Sequence, residues 1–188
     1  VSGETIQNYR ITEKDRPTVV NIGSIAVSAN QATLTLSGFL TDITYSLLTN
    51  NMATKGGAMW NLSLSAPSII NTPVTANNAV TGGGIYNETN SGSSVSNSIV
   101  WGNTPAGIAS EGAPTTVAFS DVQGWTGGIG NIDEDPRFAG ADDFRLSLDS
   151  PAIDAGRTTA VPADRFDVDG DGDTGEPTPD LDATDRIK

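Results

Sequence analysis

The stretch GGAMWNLSLSAPSIINTPVTANNAVTGGGIYN (Gly56–Asn87) begins and ends on nearly the same residues. The segment KGGAMWN at 55–61 returns as TGGGIYN at 81–87. A fixed period of this length is typical of repeat proteins, in which each unit stacks on its neighbour. The stretch therefore predicts a row of stacked structural units.

When the sequence is shifted by one period, the distance from Gly56 to Gly82, similar side chains align at other positions as well as at the glycines. ITYSLLTNNMATKGG from Ile43 matches IINTPVTANNAVTGG from Ile69, and VSNSIVWGNTPAG from Val95 continues the register. A fourth pass, TVAFSDVQG, is shorter by four residues. Three columns of like residues result: Ile43, Ile69, Val95 and Val117; Leu48, Val74, Val100 and Val122; and Asn51, Asn77 and Asn103.

Within each unit, short apolar runs rich in Val, Ile and Thr alternate with Gly, Asn and Ser, and no helical periodicity appears. This pattern predicts an all-β fold, a short right-handed parallel β-helix whose coils pair along the axis. The glycine pairs at 56–57 and 82–83 are expected at corners, and the Asn column is expected to form a hydrogen-bonded ladder. We expect an N-terminal cap or extension over 1–30, coils over 31–126 and a C-terminal cap over 127–188.

Composition excludes several classes of function. The 188 residues carry a formal charge of −13, which disfavours binding to nucleic acid or to anionic membranes and attracts divalent cations. Because Cys and His are absent, disulfides, thiolate metal sites and histidine catalysis are unavailable. No apolar run is long enough to span a bilayer.

The repeat words resemble a known family. GGAM (56–59) and GGGI (82–85), each preceded by an apolar-x-x-Asn word, are similar to the GGAI and FxxN repeats of polymorphic outer-membrane proteins and related pectate-lyase-like β-helix proteins. SDVQGWTGGIGNIDEDPRF, DDFRLSLDSPAIDAG and DVDGDGDTGEPTPDLDATD are similar, in this order, to the closing region of secreted bacterial β-helix proteins called choice-of-anchor proteins. The resemblance implies a secreted bacterial protein that is extracellular or attached to the cell surface.

An acidic loop near the end of the chain predicts a calcium site. Alternating carboxylates followed by Gly172 are typical of the start of a calcium-binding loop, although Thr178 stands where an EF-hand has its bidentate Glu. The alternative is a solvated acidic loop without a metal. The predicted ligands are Asp167, Asp169, Asp171, Asp173 and Glu176.

Other carboxylates of the C-terminal region are interpreted as structural. Asp133 and Asp135 could be an acid and base pair, but the structural interpretation is favoured. Asp135 precedes a proline and Asp154 precedes Ala-Gly, and carboxylates at turn positions accept backbone hydrogen bonds more often than they catalyse reactions. Between them, apolar and polar residues alternate as in a half-buried strand. The apolar members are Phe138, Phe144, Leu146, Leu148 and Ile153.

The coils contain few titratable residues, which favours a non-catalytic protein. Lys55 is the only basic residue in 31–126, and the acidic residues Asp42, Glu88, Glu111 and Asp121 share no column with a partner. Trp60 and Tyr86 are one period apart, and exposed aromatic rings could hold a sugar, although aromatic stacking within a fold is the commoner role. The sequons at Asn61 and Asn87 are interpreted as corner residues.

These observations predict an extracellular structural, adhesive or self-assembling surface protein, stabilised by calcium and non-catalytic. The alternative is a carbohydrate-binding or polysaccharide-degrading β-helix protein, and a surface glycan is a candidate partner in either case. The charged lead Val1–Arg16 and the strand predicted over Thr18–Val27 could pair with a neighbouring subunit, since solenoid ends expose unpaired backbone groups. Homo-oligomers or filaments would result.

Overall fold

The computed structural model describes residues 21–28, 31–37, 42–44, 46–62, 64–161 and 172–173. In these ranges the chain is all-β, and its one helical element is a 3₁₀ turn at Thr158–Ala160. The described strands are β1 (Asn21–Ser28), β2 (Gln31–Ser37), β3 (Asp42–Thr44), β4 (Leu48–Thr49), β5 (Met52–Lys55), β6 (Met59–Asn61), β7 (Ser68–Ile70), β8 (Val74–Thr75), β9 (Asn78–Thr81), β10 (Ile85–Asn87), β11 (Ser94–Ser96), β12 (Ile99–Trp101), β13 (Ile108–Ser110), β14 (Thr116–Ala118) and β15 (Asp121–Val122).

The first two strands form an antiparallel hairpin, in which Asn21 pairs with Ser37 and Ser28 with Gln31. The strand predicted over Thr18–Val27 is confirmed from residue 21 onward by β1. Since β2 pairs with β1 and runs antiparallel to it, the parallel coils of the described chain begin at β3.

The remaining strands form a parallel β-solenoid of about three turns, as the repeat predicts. Two sheets have four strands each, in the orders β14-β11-β7-β3 and β15-β12-β8-β4. A third sheet has the order β13-β10-β6, and β5 pairs with β9 in a fourth. The predicted register is confirmed for both apolar columns, and the shorter fourth pass is confirmed by the pairing of Ser94 with Thr116.

The core is a narrow stack of aliphatic side chains along the solenoid axis. It consists of Ile69, Val74, Ile85, Val95, Val100, Val117 and Val122, all buried. Each such side chain contributes about 1.5–3 kcal/mol on burial, so a core this thin needs additional polar contacts between coils.

Those polar contacts come from ladders of buried Asn. Asn51 donates from its backbone N and from Nδ2 to Oδ1 of Asn77, at 3.0 and 2.9 Å, and Asn77 does the same to Asn103 at 3.0 and 2.9 Å. The predicted ladder is therefore confirmed. A second pair has Nδ2 of Asn61 donating to Oδ1 of Asn87 at 2.6 Å, and both residues are buried, as expected of corner positions.

Glycine is required at the corner that follows β5. Gly56 has φ +55°, and a Cβ at this position would overlap the carbonyl group of Met59. Gly83 meets a different limit, since a Cβ there would overlap the backbone of Thr104 in the next coil. The corner prediction is confirmed. Gly56 is required for its backbone conformation, and Gly83 is required for the close approach of the next coil.

The solenoid ends because the chain turns back early. Residues 127–134, which we call the cap segment, pair with the last strands: Ile132 donates its N–H to Ser120 and accepts the N–H of Val122, both at 3.0 Å. Phe119 likewise donates to Ile129 at 2.8 Å. The cap segment thus covers the outer backbone edge of β14 and β15.

The half-buried strand predicted beyond the cap segment is wrong. Gly140 and Asp143 exchange backbone hydrogen bonds that reverse the chain, so Phe138 forms an isolated antiparallel bridge with Leu146. Phe144 packs edge-on against Phe138 at 5.4 Å, whereas the Leu148 side chain is fully exposed. Alternation in this segment reflects a tight turn and not an extended strand.

Candidate functional site

One surface of the solenoid gathers aromatic and charged side chains on the sheet β6-β10-β13. In this sheet Met59 and Ile85 pack toward the core, so the next residues, Trp60 and Tyr86, point outward and pair directly across the coils. We call this surface the Trp60 face and define it as Lys55, Trp60, Tyr86, Glu88 and Glu111.

Lys55 lies at the centre of the Trp60 face. Its Nζ is 3.2 Å from Oε1 of Glu88, 4.9 Å from the ring centre of Tyr86 and 5.4 Å from that of Trp60. The hydrogen bond that Lys55 donates to Glu88 raises the pKa of the ammonium above its ordinary value, and partial burial opposes this effect. Lys55 is therefore a cation at neutral pH and no general base.

Tyr86 is 1% exposed because its neighbours on the Trp60 face cover it. The Tyr86 hydroxyl makes no well-formed hydrogen bond in the described part of the chain, although the Glu111 carboxylate lies near it. Glu111 raises the pKa of Tyr86, burial adds to this, and Lys55 opposes it. Tyr86 is thus a neutral phenol, while the Trp60 ring above it is 46% exposed.

The expectation that the charged residues of the coils stand apart is wrong for Lys55, Glu88 and Glu111. Glu88 and Glu111 each follow a paired position of the third sheet, where Asn87 pairs with Ser110. In the first four-stranded sheet the corresponding pair, Ser94 and Thr116, is one residue closer along the sequence. Aligning the whole last coil with the sequence separation of that sheet therefore places the two glutamates one residue out of register. An alignment that allowed a different separation in each sheet would have paired them.

The other tryptophans do not join this surface. Trp101 pairs with Thr75 in the second four-stranded sheet. Trp125 follows β15 and packs against the aliphatic core from its open end. Of these four aromatic residues, the structure brings together Trp60 and Tyr86 alone.

Asp121 is a second unusual residue, at the junction of β15 and the cap segment. It is 3% exposed; Oδ1 accepts the backbone N–H of Glu134 at 3.3 Å, and Oδ2 is buried without a hydrogen-bond partner in the described chain. Burial raises its pKa to about 6, and the charges of Asp133, Glu134 and Asp135 add to the shift. Sequence reasoning counted Asp121 but gave it no role.

Two cap-region carboxylates accept backbone N–H groups, and the turn role predicted for Asp135 is confirmed. Oδ1 of Asp133 accepts the N–H of Gly124 at 2.9 Å, and Oδ1 of Asp135 accepts the N–H of Arg137 at 2.9 Å. Since both carboxylates fix backbone geometry, they are poorly placed to act as an acid and base pair.

The predicted calcium loop lies almost wholly outside the described residues. Asp167, Asp169, Asp171 and Glu176 are not described, and Asp173 is described without its loop. Within the described residues no group of three or more acidic, His or Cys side chains could hold a metal ion. The calcium site at 167–176 stays a prediction.

Fold and site define the chain as a parallel β-solenoid with one aromatic, charged face. No protein-family model, no curated protein and no solved structure matches the sequence. In the part of the chain that is described, no helix has the length and apolar character needed to cross a membrane.

Proposed function

We propose that this chain is an adhesive module of a secreted, cell-surface bacterial protein, and that it binds a glycan through the Trp60 face. The observation that carries the proposal is the exposed Trp60 ring beside one ammonium and two carboxylate groups. Sugar rings stack their C–H faces on such rings, while hydroxyls bond to charged groups at the ring edge.

The charged groups of this face are free enough to serve a ligand. The Lys55 and Glu88 side chains are 33% and 34% exposed, and an ion pair of this kind contributes about 1 kcal/mol or less to stability. Hydroxyl groups of a sugar can therefore share these partners at little cost, while Tyr86 beneath provides a rigid base.

The balance of charge on the Trp60 face favours a neutral glycan. One ammonium stands against two carboxylates, on a chain whose formal charge is −13. A polyanionic polysaccharide would be repelled at long range unless calcium bridged it. We place calcium at 167–176 as a stabilising ion, in keeping with the calcium available outside cells.

Binding without catalysis fits the protonation states of this face. Lys55 is held as a cation and Tyr86 as a neutral phenol, so neither accepts a proton from a sugar at neutral pH. The second candidate, polysaccharide cleavage, would rest on Glu88 and Glu111, which belong to adjacent coils of the same face.

The test measures tryptophan fluorescence and calorimetric heat on titration with neutral oligosaccharides (cello-, manno- and xylo-series) and with acidic ones (polygalacturonate and alginate). We expect saturable binding to a neutral series, lost in Trp60→Ala and retained in Leu62→Ala. Leu62 is a matched control because it is 43% exposed on the same stretch of chain.

Two results would contradict this proposal. Binding that survives Trp60→Ala would place the ligand elsewhere, and absence of binding to every series would remove the adhesive function. New reducing ends or unsaturated products on long incubation, lost in Glu111→Gln, would establish the catalytic alternative.

A further inference from the structure

The third sheet, β6-β10-β13, is one strand shorter than its neighbours at the C-terminal end of the solenoid. The two four-stranded sheets end in β14 and β15, whereas the sheet containing β13 has no strand from the fourth coil in the described chain. The chain turns back so early that Asp121 already pairs with Ile132, before a full coil is complete. A groove of about 370 Å³ lies at the place of the missing strand.

Apolar side chains form part of the groove lining, beside polar ones such as Asn103. Ile108, Val122 and Trp125 line the groove, and each packs in or against the aliphatic core. Pro105 and Gln123 form part of its rim. An extended chain lying here would add cover over Ile108 and Trp125, which are only partly buried.

The backbone of β13 offers hydrogen bonds to such a chain. The carbonyl of Gly107 and the N–H of Glu111 bond to β10, both at 2.8 Å. Because backbone groups alternate in direction along a parallel strand, Ile108 and Ser110 direct their N–H and C=O groups away from β10 and toward the groove side. These groups have no partner within the described residues.

The electrostatics of this end favour a segment that carries basic residues. Glu111 follows β13, and Asp133 holds the N–H of Gly124 in the groove wall. The N-terminal lead Val1–Arg16 contains Arg10, Lys14 and Arg16 with three acidic residues, so it is neutral on a chain of −13. Its three basic side chains can pair with acidic groups at this end of the solenoid.

We propose that the open edge of β13 and its groove bind the N-terminal lead of a second copy of this chain as an added strand. The lead precedes the first coil in the sequence, whereas the groove lies at the last coil. The proposed contact therefore joins the N-terminal part of one copy to the C-terminal end of the solenoid of another. This contact is heterologous, and a heterologous contact whose rotation does not close a ring builds head-to-tail oligomers or filaments. The proposal does not rest on glycan binding, although its acceptor strand β13 belongs to the same sheet as the Trp60 face and is followed by Glu111.

The test compares the oligomeric mass of three full-length proteins by sedimentation equilibrium over a wide range of concentration. We expect the wild type to associate reversibly. Arg10→Glu with Arg16→Glu should weaken association by about tenfold or more, since each reversal puts like charges together. The control, Arg186→Glu with Lys188→Glu, changes the net charge equally and should leave association near the wild-type value.

Hydrogen exchange identifies the acceptor. The amides of Ile108 and Ser110 should gain protection as protein concentration rises, and deletion of residues 1–16 should abolish that gain. A monomer at all concentrations overturns the proposal, as does association that persists unchanged after the deletion. Protection that depends on residues 1–16 but not on concentration also overturns it, because the chain would then be filling its own groove.

Discussion

Replacing Asp121 by Asn should stabilise the protein at neutral pH, which is unusual for a change at a buried polar residue. The carboxyl is 3% exposed, it faces the cap-segment charges of Asp133 and Glu134, and no cation is among the causes of its pKa shift. Ionising it in the folded protein is therefore costly. Asn keeps the acceptor for the N–H of Glu134 and removes the charge.

The magnitude follows from the pKa. A rise from 3.8 to about 6 corresponds to at most about 3 kcal/mol, at about 1.4 kcal/mol per tenfold change in proton affinity. Because the folded state binds the proton more tightly, the stability linked to Asp121 is fully present below about pH 4 and is lost as the pH rises through about 6. The advantage of Asp121→Asn should thus be near zero at pH 4 and largest above pH 7.

Urea unfolding followed by tryptophan fluorescence between pH 4 and 8 measures this difference. At neutral pH a gain of about 3 kcal/mol would raise the melting temperature by about 6–12 °C in a chain of this size. Asp142→Asn, an exposed carboxyl in the same C-terminal region, is the matched control. A variant less stable than the wild type at pH 7.5, or a difference that does not vary with pH, would refute the reasoning.

Three further predictions concern the core, the ladder and the metal. Val100→Asp should prevent folding, since it places an unpaired charge at a position that is 0% exposed, whereas Val80→Asp, at 77% exposed, should express and melt normally. Asn77→Ala should cost about 3 kcal/mol or more in urea unfolding, because it leaves several buried backbone groups unpaired, while the exposed neighbour Asn78→Ala should cost little. Chelation should lower stability by a few kcal/mol at most, and melting curves of Asp169→Asn with Asp171→Asn that match the wild type in both calcium and chelator would remove the metal site.

The fold could be predicted because stacking makes each coil repeat the chemistry of the previous one. Val74 and Val100 occupy the same place in successive coils. The sequence therefore shows several times which kind of residue each place in a coil requires. The hairpin of β1 and β2 has no such repetition, and only one of its strands was predicted. Beyond the cap segment, Leu148 and Phe138 alternate like strand residues, and the turn at Gly140 that separates them has no periodic signature.

The candidate site was predicted only in part, for the complementary reason: the sequence paired Trp60 with Tyr86 but did not bring the charged residues to them. Paired positions that only support the fold hold the same kind of residue in successive coils. Residues with a special role are therefore found where the kind of residue changes from one coil to the next. Lys55 pairs with Thr81, Trp60 and Tyr86 are followed by Ala109, and Asp121 occupies the place of Ile99 in the coil below. Among these residues, the buried Asp121 costs stability relative to an aliphatic residue at the same place, whereas Lys55 and Trp60 are partly exposed. Residues that do not optimise stability are expected where a solenoid binds a ligand or where it ends. They distinguish the Trp60 face and the Asp121 junction from surfaces on which successive coils hold the same kind of residue.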